Sequence, residues 1–484
     1  MTRWPLFLLP AALLVAAGGC VPYRAAPLTP EAVRAALTVP PADSLAVRAA
    51  RLRTPALAPA VLDVADGLTP DEAAVVAVLV NPALVARRAS RGLVAAQLFA
   101  EGLLAPPQVA ASADLPVSGD SAAVTAVGLG LSLDLGALVT RRARLAGADA
   151  VRDSTDLGIA YAEWQAAAQA RLAAYRVLSF GRRRALMDAE LVALRAALDL
   201  LNEAERRRLV TEVDRVAAEA AYRDARITAL DLAEGEATAR LDLVGVLGFP
   251  ADTAVVVQAV GVPVFRAPPL GVLTAGLDSL RLDLRALRLG YASSEAGLRA
   301  AVLGQFPAVT VGVNVARNDA GLLTVGPAVS LGLPFFGLGG GLRFDRNQGG
   351  IAVATASRAQ IFAEYVARHR DAETALARAL SALAFSRERV TATSEAYETR
   401  RHLVEIYGQA LRFGQADVLP YYNARVEATA LALQALEAEQ AVVEAGLALE
   451  VLAGRPLAAP PGPPGSAPAL APLPPPFLVP HEAP

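Results

Sequence analysis

The chain has 484 residues and a formal net charge of −2, so it carries no basic footprint for nucleic-acid binding. Its single cysteine excludes a disulfide framework and clustered-thiolate metal sites. Hydrophobic residues make up 54% of the chain but aromatic residues only 5%, so most apolar side chains are small or aliphatic and suit closely packed helices.

Residues 1–19 have the features of a secretory signal peptide. Arg3 precedes an apolar run from Leu6 to Ala17, which is shorter than the ~20 residues that a membrane-spanning helix needs. The stretch 17–20, Ala-Gly-Gly-Cys, resembles the bacterial lipobox. That resemblance implies cleavage before Cys20 and acylation of this residue, palmitate included. The alternative is a plain signal peptide with an incidental cysteine.

The mature chain would begin with a segment that has no clean hydrophobic period. Residues 20–68 are rich in Pro, Ala and Arg, and we predict an extended, lipidated segment there. The pattern changes at Thr69, which is followed by Pro70 and two acidic residues, as is typical of a helix start. After a break at Asn81-Pro82, the helix is expected to continue to about Leu104.

Two stretches that follow alternate between apolar and small or polar residues. In residues 108–115 and again in residues 125–135, apolar side chains occupy the odd-numbered positions. A period of two predicts β-strands, here joined by a hairpin loop over residues 116–121. Asp114 and Asp134 occupy the small or polar face of this pattern.

A very long helix is predicted next. No proline occurs between residues 137 and 208, which read as one helix of roughly 110 Å. An apolar stripe of that length is buried only in a coiled-coil-like assembly. Thr211 and Asp214 have the spacing of a capping box, so a second helix is expected to start there and to end at Leu247.

The same order of elements then occurs a second time. Helix is predicted over 275–304, alternating strands over 306–316 and 323–333, and a long helix over about 343–411. A last helix is expected to end at Leu452. The predicted organisation is therefore a duplicated helix-strand-strand-long helix-helix unit. The first repeat covers residues 69–250 and the second covers 275–455. A linker over 251–274 joins them, and a Pro-rich tail covers 456–484.

Four amphipathic strands are too few to close a membrane barrel around a channel, and open strand edges do not occur in lipid. The strands, with one apolar and one small or polar face, are typical of a transmembrane β-barrel. The long helices also need neighbours for their apolar stripes. These two requirements predict an oligomer, without fixing its number of subunits.

Three motifs resemble those of the TolC-like outer-membrane efflux proteins. They are the helix-to-strand junction at 101–107, the strand before the second long helix at 328–336, and the second tip turn at 413–419. The counterpart of this turn at 208–214 lacks the tip glycine, which leaves its geometry open. The resemblance covers about residues 69–455.

This resemblance implies a specific architecture and set of partners. It implies a homotrimer with a twelve-stranded β-barrel in the outer membrane, continuous with a long α-helical barrel in the periplasm. Such a protein is a passive exit duct of a tripartite efflux or secretion system that docks a periplasmic adaptor and an inner-membrane pump. It needs no cofactor and is not an enzyme.

The resemblance also selects candidate functional residues. Thr211, Asp214, Gly414 and Asp417 are expected at the periplasmic tip, where the adaptor binds. Capping of the return helices, with a contribution of about 1 kcal/mol, is the alternative role for the two aspartates. On the strand pattern, Asp114, Asp134 and Asn314 are expected to face the lumen of the β-barrel, although alternation alone allows a slip of one residue.

No catalytic motif for phosphate binding, zinc hydrolysis or a nucleophilic serine occurs in the chain. Three histidines and two methionines offer few metal-binding atoms. The alternative function is a structural periplasmic helical lipoprotein without a channel. That protein would keep Cys20 and the long helices, but it would not need four strands with an apolar face.

Overall fold

The computed structural model describes residues 22–52, 62, 66–115, 117, 124–306, 309–331, 346–413, 415–459 and 470–474. The predicted signal peptide and Cys20 lie outside these residues. The chain divides into two units, residues 1–40 and 41–484. The described part of the first unit contains helix α1 (Pro30–Leu37), whose first turn is capped by the Thr29 hydroxyl.

The second unit contains all other described helices and strands. Its helices are α2 (Ala42–Ala49), α3 (Pro70–Val80), α4 (Pro82–Gly102), α5 (Gly136–Arg206), α6 (Glu212–Leu247), α7 (Leu270–Ala275), α8 (Leu277–Leu280), α9 (Leu282–Leu303), α10 (Gln348–Arg412) and α11 (Val418–Ala453). Its strands are β1 (Gln108–Asp114), β2 (Ala126–Asp134), β3 (Val309–Arg317) and β4 (Leu323–Leu331). The predicted order of helix, two strands, long helix and return helix is therefore confirmed in both repeats.

The two long helices dominate the second unit. Helix α5 has 71 residues and α10 has 65, which corresponds to roughly 107 and 98 Å. Each is followed by a return helix of 36 residues, α6 or α11, which packs back along it. Many of the buried residues of α5 and α11 are alanines, whose small side chains let neighbouring helix axes approach closely.

Helices α3 and α4 lead into the first strand pair. The Thr69 hydroxyl accepts from the Glu72 backbone N–H while the Glu72 carboxylate accepts from the Thr69 backbone N–H, so the predicted start of α3 is a reciprocal capping box. Asn81 then caps α4 and donates from its amide to the carbonyl of Val246 on α6. Among the described helices, none is by itself long and apolar enough to cross a bilayer, and the pair α3–α4, bent by 44°, passes that test of length and composition.

Two predictions about secondary structure were wrong. The segment 20–68, predicted to be extended, contains α1 and α2. Thr29-Pro30-Glu31 supplies the start of α1, with a capping hydroxyl and a proline at the first helical position. The helix predicted over 275–304 is interrupted at Gly276 and Arg281. At the second break the Arg281 backbone is extended and its guanidinium pairs with the Asp283 carboxylate.

The predicted linker forms isolated β-bridges with residues that flank the two repeats, one just before the first repeat and one just after the second. Val257 pairs with Leu68, and Phe265 pairs with Ala458 just after α11. The Phe265 side chain is buried in a core cluster formed mainly by the second repeat, with Tyr175 of α5. It occupies the space that a β-carbon on Gly446 would need, so the small residue on α11 allows the linker to lie against the helix.

Candidate functional site

The four strands form one antiparallel sheet in the order β1-β2-β3-β4. Its register aligns Ala110, Gly130, Asn314 and Gly326 in one row across all four strands. Because side chains alternate between the faces of a strand, this row fixes which residues share a face. The first pair of strands comes from one repeat and the second pair from the other, so each repeat supplies half of the sheet.

One face of this sheet is apolar and exposed. It carries Val and Leu side chains at Val109, Val127, Leu129, Leu131, Val313, Val325, Val329 and Leu331. Val325 and Val329 are 67% and 70% exposed. A contiguous apolar patch that is exposed on a protein surface marks a site of contact with a membrane or with another protein. We call this set of residues the apolar face.

The opposite face carries small and polar side chains. Asp114, Asp134 and Asn314, the three residues predicted to line a lumen, all lie on it. Asp114 is exposed at the end of β1. The Asp134 carboxylate accepts from the backbone N–H of Gly136 at the start of α5, at 2.8 Å. The structure thus places the three residues on one face, and their role remains a prediction.

The outer strands of the sheet each have one unpaired edge. Within the described residues β1 pairs with β2 alone and β4 with β3 alone. An unpaired edge presents a row of free N–H and C=O groups, which is a template for pairing with another strand. Because the sheet has an even number of antiparallel strands, β4 of one copy has the direction needed to continue antiparallel with β1 of the next.

The first tip turn, between α5 and α6, closes without a glycine. Arg208 takes up a left-handed conformation with φ 62°. The Leu209 N–H then donates to the Ala204 carbonyl at 2.9 Å, which is the closing bond of a Schellman-type helix end. In the second turn the Gln415 N–H donates to the Ala410 carbonyl, also at 2.9 Å. The two bonds correspond at an offset of 206 residues, so Arg208 takes the sequence place of Gly414, which itself lies outside the described residues.

The return helices begin at equivalent positions but are capped differently. Thr211 caps α6 and forms a reciprocal capping box with Asp214. Asp417 caps α11 by position, but its side chain makes no capping hydrogen bond. At the offset of 206 the equivalent of Asp417 is Thr211 and not Asp214. Asp214 therefore lies three residues farther along the chain from its tip turn than Asp417 does, so the two aspartates occupy different positions relative to their turns.

Comparisons with known proteins address the fold as a whole. The sequence matches no protein-family model, and no curated protein matches it. Solved structures do match. An outer-membrane protein of Vibrio cholerae, VceC, has a TM-score of 0.64 and 18% identity over 80% of this chain and 96% of that one. The open state of the Neisseria gonorrhoeae outer-membrane channel MtrE gives 0.64 and 18% over 84% and 93%. A membrane protein of Pseudomonas aeruginosa gives 0.66 and 17% over 81% and 92%.

The chain has the TolC-like outer-membrane channel fold. The matches extend over about four fifths of this chain and more than nine tenths of each of these three structures.

One buried ion pair of the channel fold was not foreseen from the sequence. Arg425 on α11 is 2% exposed, and its Nε and Nη2 donate to the two carboxylate oxygens of Glu190 on α5 at 2.6 Å each. Burial acts to lower the pKa of Arg425, but the Glu190 carboxylate outweighs burial and raises this pKa above its ordinary value. The guanidinium stays charged, and the pair fixes α11 against α5 close to the tip.

The helices of the channel fold meet in one apolar cluster near the tips. Leu194 of α5, Ala218 of α6, Val404 of α10 and Val418 of α11 are all among its buried members. The two helix-turns are therefore held by a common core. Among the described residues, no group of three or more His, Cys, Asp and Glu side chains is arranged to hold a metal ion.

Proposed function

We propose that this protein is the outer-membrane exit duct of a tripartite efflux or secretion system. The observation that carries the proposal is the sheet with one exposed apolar face, one small polar face and two unpaired edges, attached to helices of roughly 100 Å. Unpaired strand edges do not occur within a lipid bilayer. In the proposed duct the edges of neighbouring copies of the chain pair with each other. Three copies would give twelve strands, the number that the TolC-like fold implies.

In the proposed duct the apolar face contacts lipid and the small polar face lines the lumen. Asp114, Asp134 and Asn314 would then border the permeation path. The long helices would form a tube in the periplasm, and acylated Cys20 would anchor each subunit in the outer membrane. The duct is passive and not an enzyme, since the associated inner-membrane pump supplies the energy.

The tips are the proposed docking site for the periplasmic adaptor. Thr211 and Asp417 are the N-cap residues of the two return helices, and Asp214 lies in the first turn of α6. Gly414 lies between α10 and α11 in the sequence. Asp417 is the strongest of these candidates, because its carboxylate makes no capping hydrogen bond that would account for it. Asp214 already serves the capping box of α6.

The alternative function, a helical periplasmic spacer, is disfavoured by the sheet. In a spacer surrounded by water, Val325, Val329 and their apolar neighbours would stay exposed to solvent. Contiguous apolar surface of this kind is unfavourable in water unless it serves binding or membrane contact. After removal of the acyl anchor by Cys20→Ser, a spacer would be a soluble monomer. The proposed duct would still require detergent and would still be a trimer in crosslinking.

Two adjacent residues on opposite faces of β4 provide the decisive test. Val329→Arg places a charge on the apolar face, where the expected cost of about 2–4 kcal/mol at the bilayer midplane should prevent trimer insertion. Ser330→Arg places the same charge on the small face, so the trimer should insert and conduct less current in planar bilayers. Equal insertion of both variants, or a monomeric wild-type protein in lipid, would overturn the duct.

A further inference from the structure

A short stretch of the C-terminal region, Leu470–Pro474, lies in a groove between α5, α10 and α11. The groove is lined by Leu186, Ala189 and Glu190 of α5, Tyr397 of α10, and Arg425 and Thr429 of α11. A cavity of about 280 Å³ remains between the stretch and the helices. We call Leu470–Pro474 the docked segment.

The groove holds the backbone carbonyls of the docked segment. The Tyr397 hydroxyl, on a side chain that is almost fully buried, donates to the carbonyl of Ala471. Arg425 Nη1 donates to the carbonyl of Pro474 at 2.7 Å. The same guanidinium is held in place by Glu190, so the donor for Pro474 is positioned by a buried ion pair.

The docked segment has the chemistry of an extended peptide ligand. Pro472 and Pro474 restrict φ and favour an extended backbone, which lowers the entropy lost on docking. Leu473 packs against the apolar cluster near the tips. None of the described backbone N–H groups of the segment bonds to the backbone of the helices. Side chains therefore account for its attachment to the rest of the described chain.

We propose that this groove is a docking site for an extended, proline-containing peptide, occupied by the chain's own Leu470–Pro474, and that the docked segment latches α11 to α5 near the tip. The segment completes the hydrogen bonding of the Arg425 guanidinium, whose unmet donors would otherwise be costly at this burial. The hydroxyl of Thr429, buried in the same groove without a partner among the described residues, has capacity for one more polar group of a ligand.

The test uses two truncations of the full-length protein. A chain ending at residue 469 loses the docked segment, and a chain ending at residue 474 keeps it as the matched control. Amide hydrogen exchange is measured over residues 418–430 of α11. We expect exchange at least tenfold faster in the shorter chain and unchanged in the control. A synthetic peptide of residues 468–476, added to the shorter chain, should restore protection, whereas a scrambled peptide of the same composition should not.

Point variants keep the proposal testable if the shorter chain fails to fold. In the full-length protein, Tyr397→Phe removes one hydrogen bond to the segment and Leu473→Asp removes its apolar anchor, so both should accelerate exchange over residues 418–430. Equal exchange in the two truncations, or unchanged exchange in both point variants, would overturn the latch. None of these readouts depends on conduction, so failure of the latch is distinguishable from failure of the duct.

Discussion

Asn314 and Gly130 face each other on neighbouring strands, and the Asn314 side-chain oxygen lies 2.5 Å from where a β-carbon on residue 130 would stand. Gly130→Ala is therefore expected to displace the end of the Asn314 side chain, with a cost of about 0.5–1.5 kcal/mol for leaving its rotamer. The measurement is the midpoint temperature at which the proposed trimer dissociates on heating.

Gly326, on the other side of Asn314, provides the control for this change. A β-carbon there meets nothing within 4 Å, so Gly326→Ala should leave the midpoint nearly unchanged. The double variant Gly130→Ala/Asn314→Ala should recover most of the loss. A midpoint that is equally low in both glycine variants would contradict the register of the sheet.

The left-handed conformation of Arg208 predicts a stabilising substitution. A residue with a side chain pays about 1–2 kcal/mol for this conformation, whereas glycine adopts it freely. Arg208→Gly should thus raise the midpoint temperature of thermal unfolding of the α5–α6 hairpin. Arg207→Gly, one residue earlier and in a right-handed helical conformation, should lower it. Loss of stability in both variants would argue against the described turn.

The different caps of the return helices predict different costs of removal. Thr211→Ala breaks the capping box of α6 and should cost about 1 kcal/mol in the free energy of unfolding. Asp417→Ala should cost much less, because its side chain makes no capping bond. If Asp417→Ala nonetheless weakens binding of the purified adaptor, its carboxylate acts in docking. An equal stability loss in both variants would contradict this assignment.

Asp283 predicts a dependence of stability on acid. Burial raises the pKa of Asp283, but the hydrogen bonds and charges of Arg281 and Arg368 outweigh burial and hold this pKa below its ordinary value. The folded state therefore gains stability from the carboxylate above the ordinary aspartate pKa of about 3.9. That gain disappears as the pH falls below about 4 and through the lower folded value.

Asp283→Asn isolates this contribution. At pH 7 the variant should lose about 1.5–3 kcal/mol, the range for hydrogen bonds to charged groups. Its stability should then vary less than that of the wild type between pH 5 and pH 2. Asp252→Asn changes an exposed carboxylate and serves as the control. A variant with the same acid dependence as the wild type would refute the role of Asp283.

Regular elements were predictable because their signals are local. Alternation identified the strands near Val127 and Val313, and the absence of proline identified the long helices. The Thr211 capping box was also visible from spacing alone. The side chains of the sheet could be assigned to faces in advance for the same reason.

Contacts between distant residues were not predictable from one sequence. Arg425 and Glu190 are 235 residues apart in the chain, and neither stands in a motif. The C-terminal tail showed only a composition rich in Pro and Ala, which gave no indication that Leu473 docks near the tips. The turn at Arg208 has no glycine, which is the usual sequence signal for a left-handed residue at a helix end. Its geometry follows from the helices on either side.

The equal length of α6 and α11 restricts how this protein can diverge. Glu212 corresponds to Val418 and Leu247 to Ala453, an offset of 206 at both ends. Since the two hairpins share one apolar cluster at their far ends, adding a single turn to one of them would shift its end by about 5.4 Å and misalign that cluster. We therefore expect an insertion or deletion in one helical hairpin to be accompanied by one of equal length in the other. The two hairpins would then keep the same length while their surface residues change.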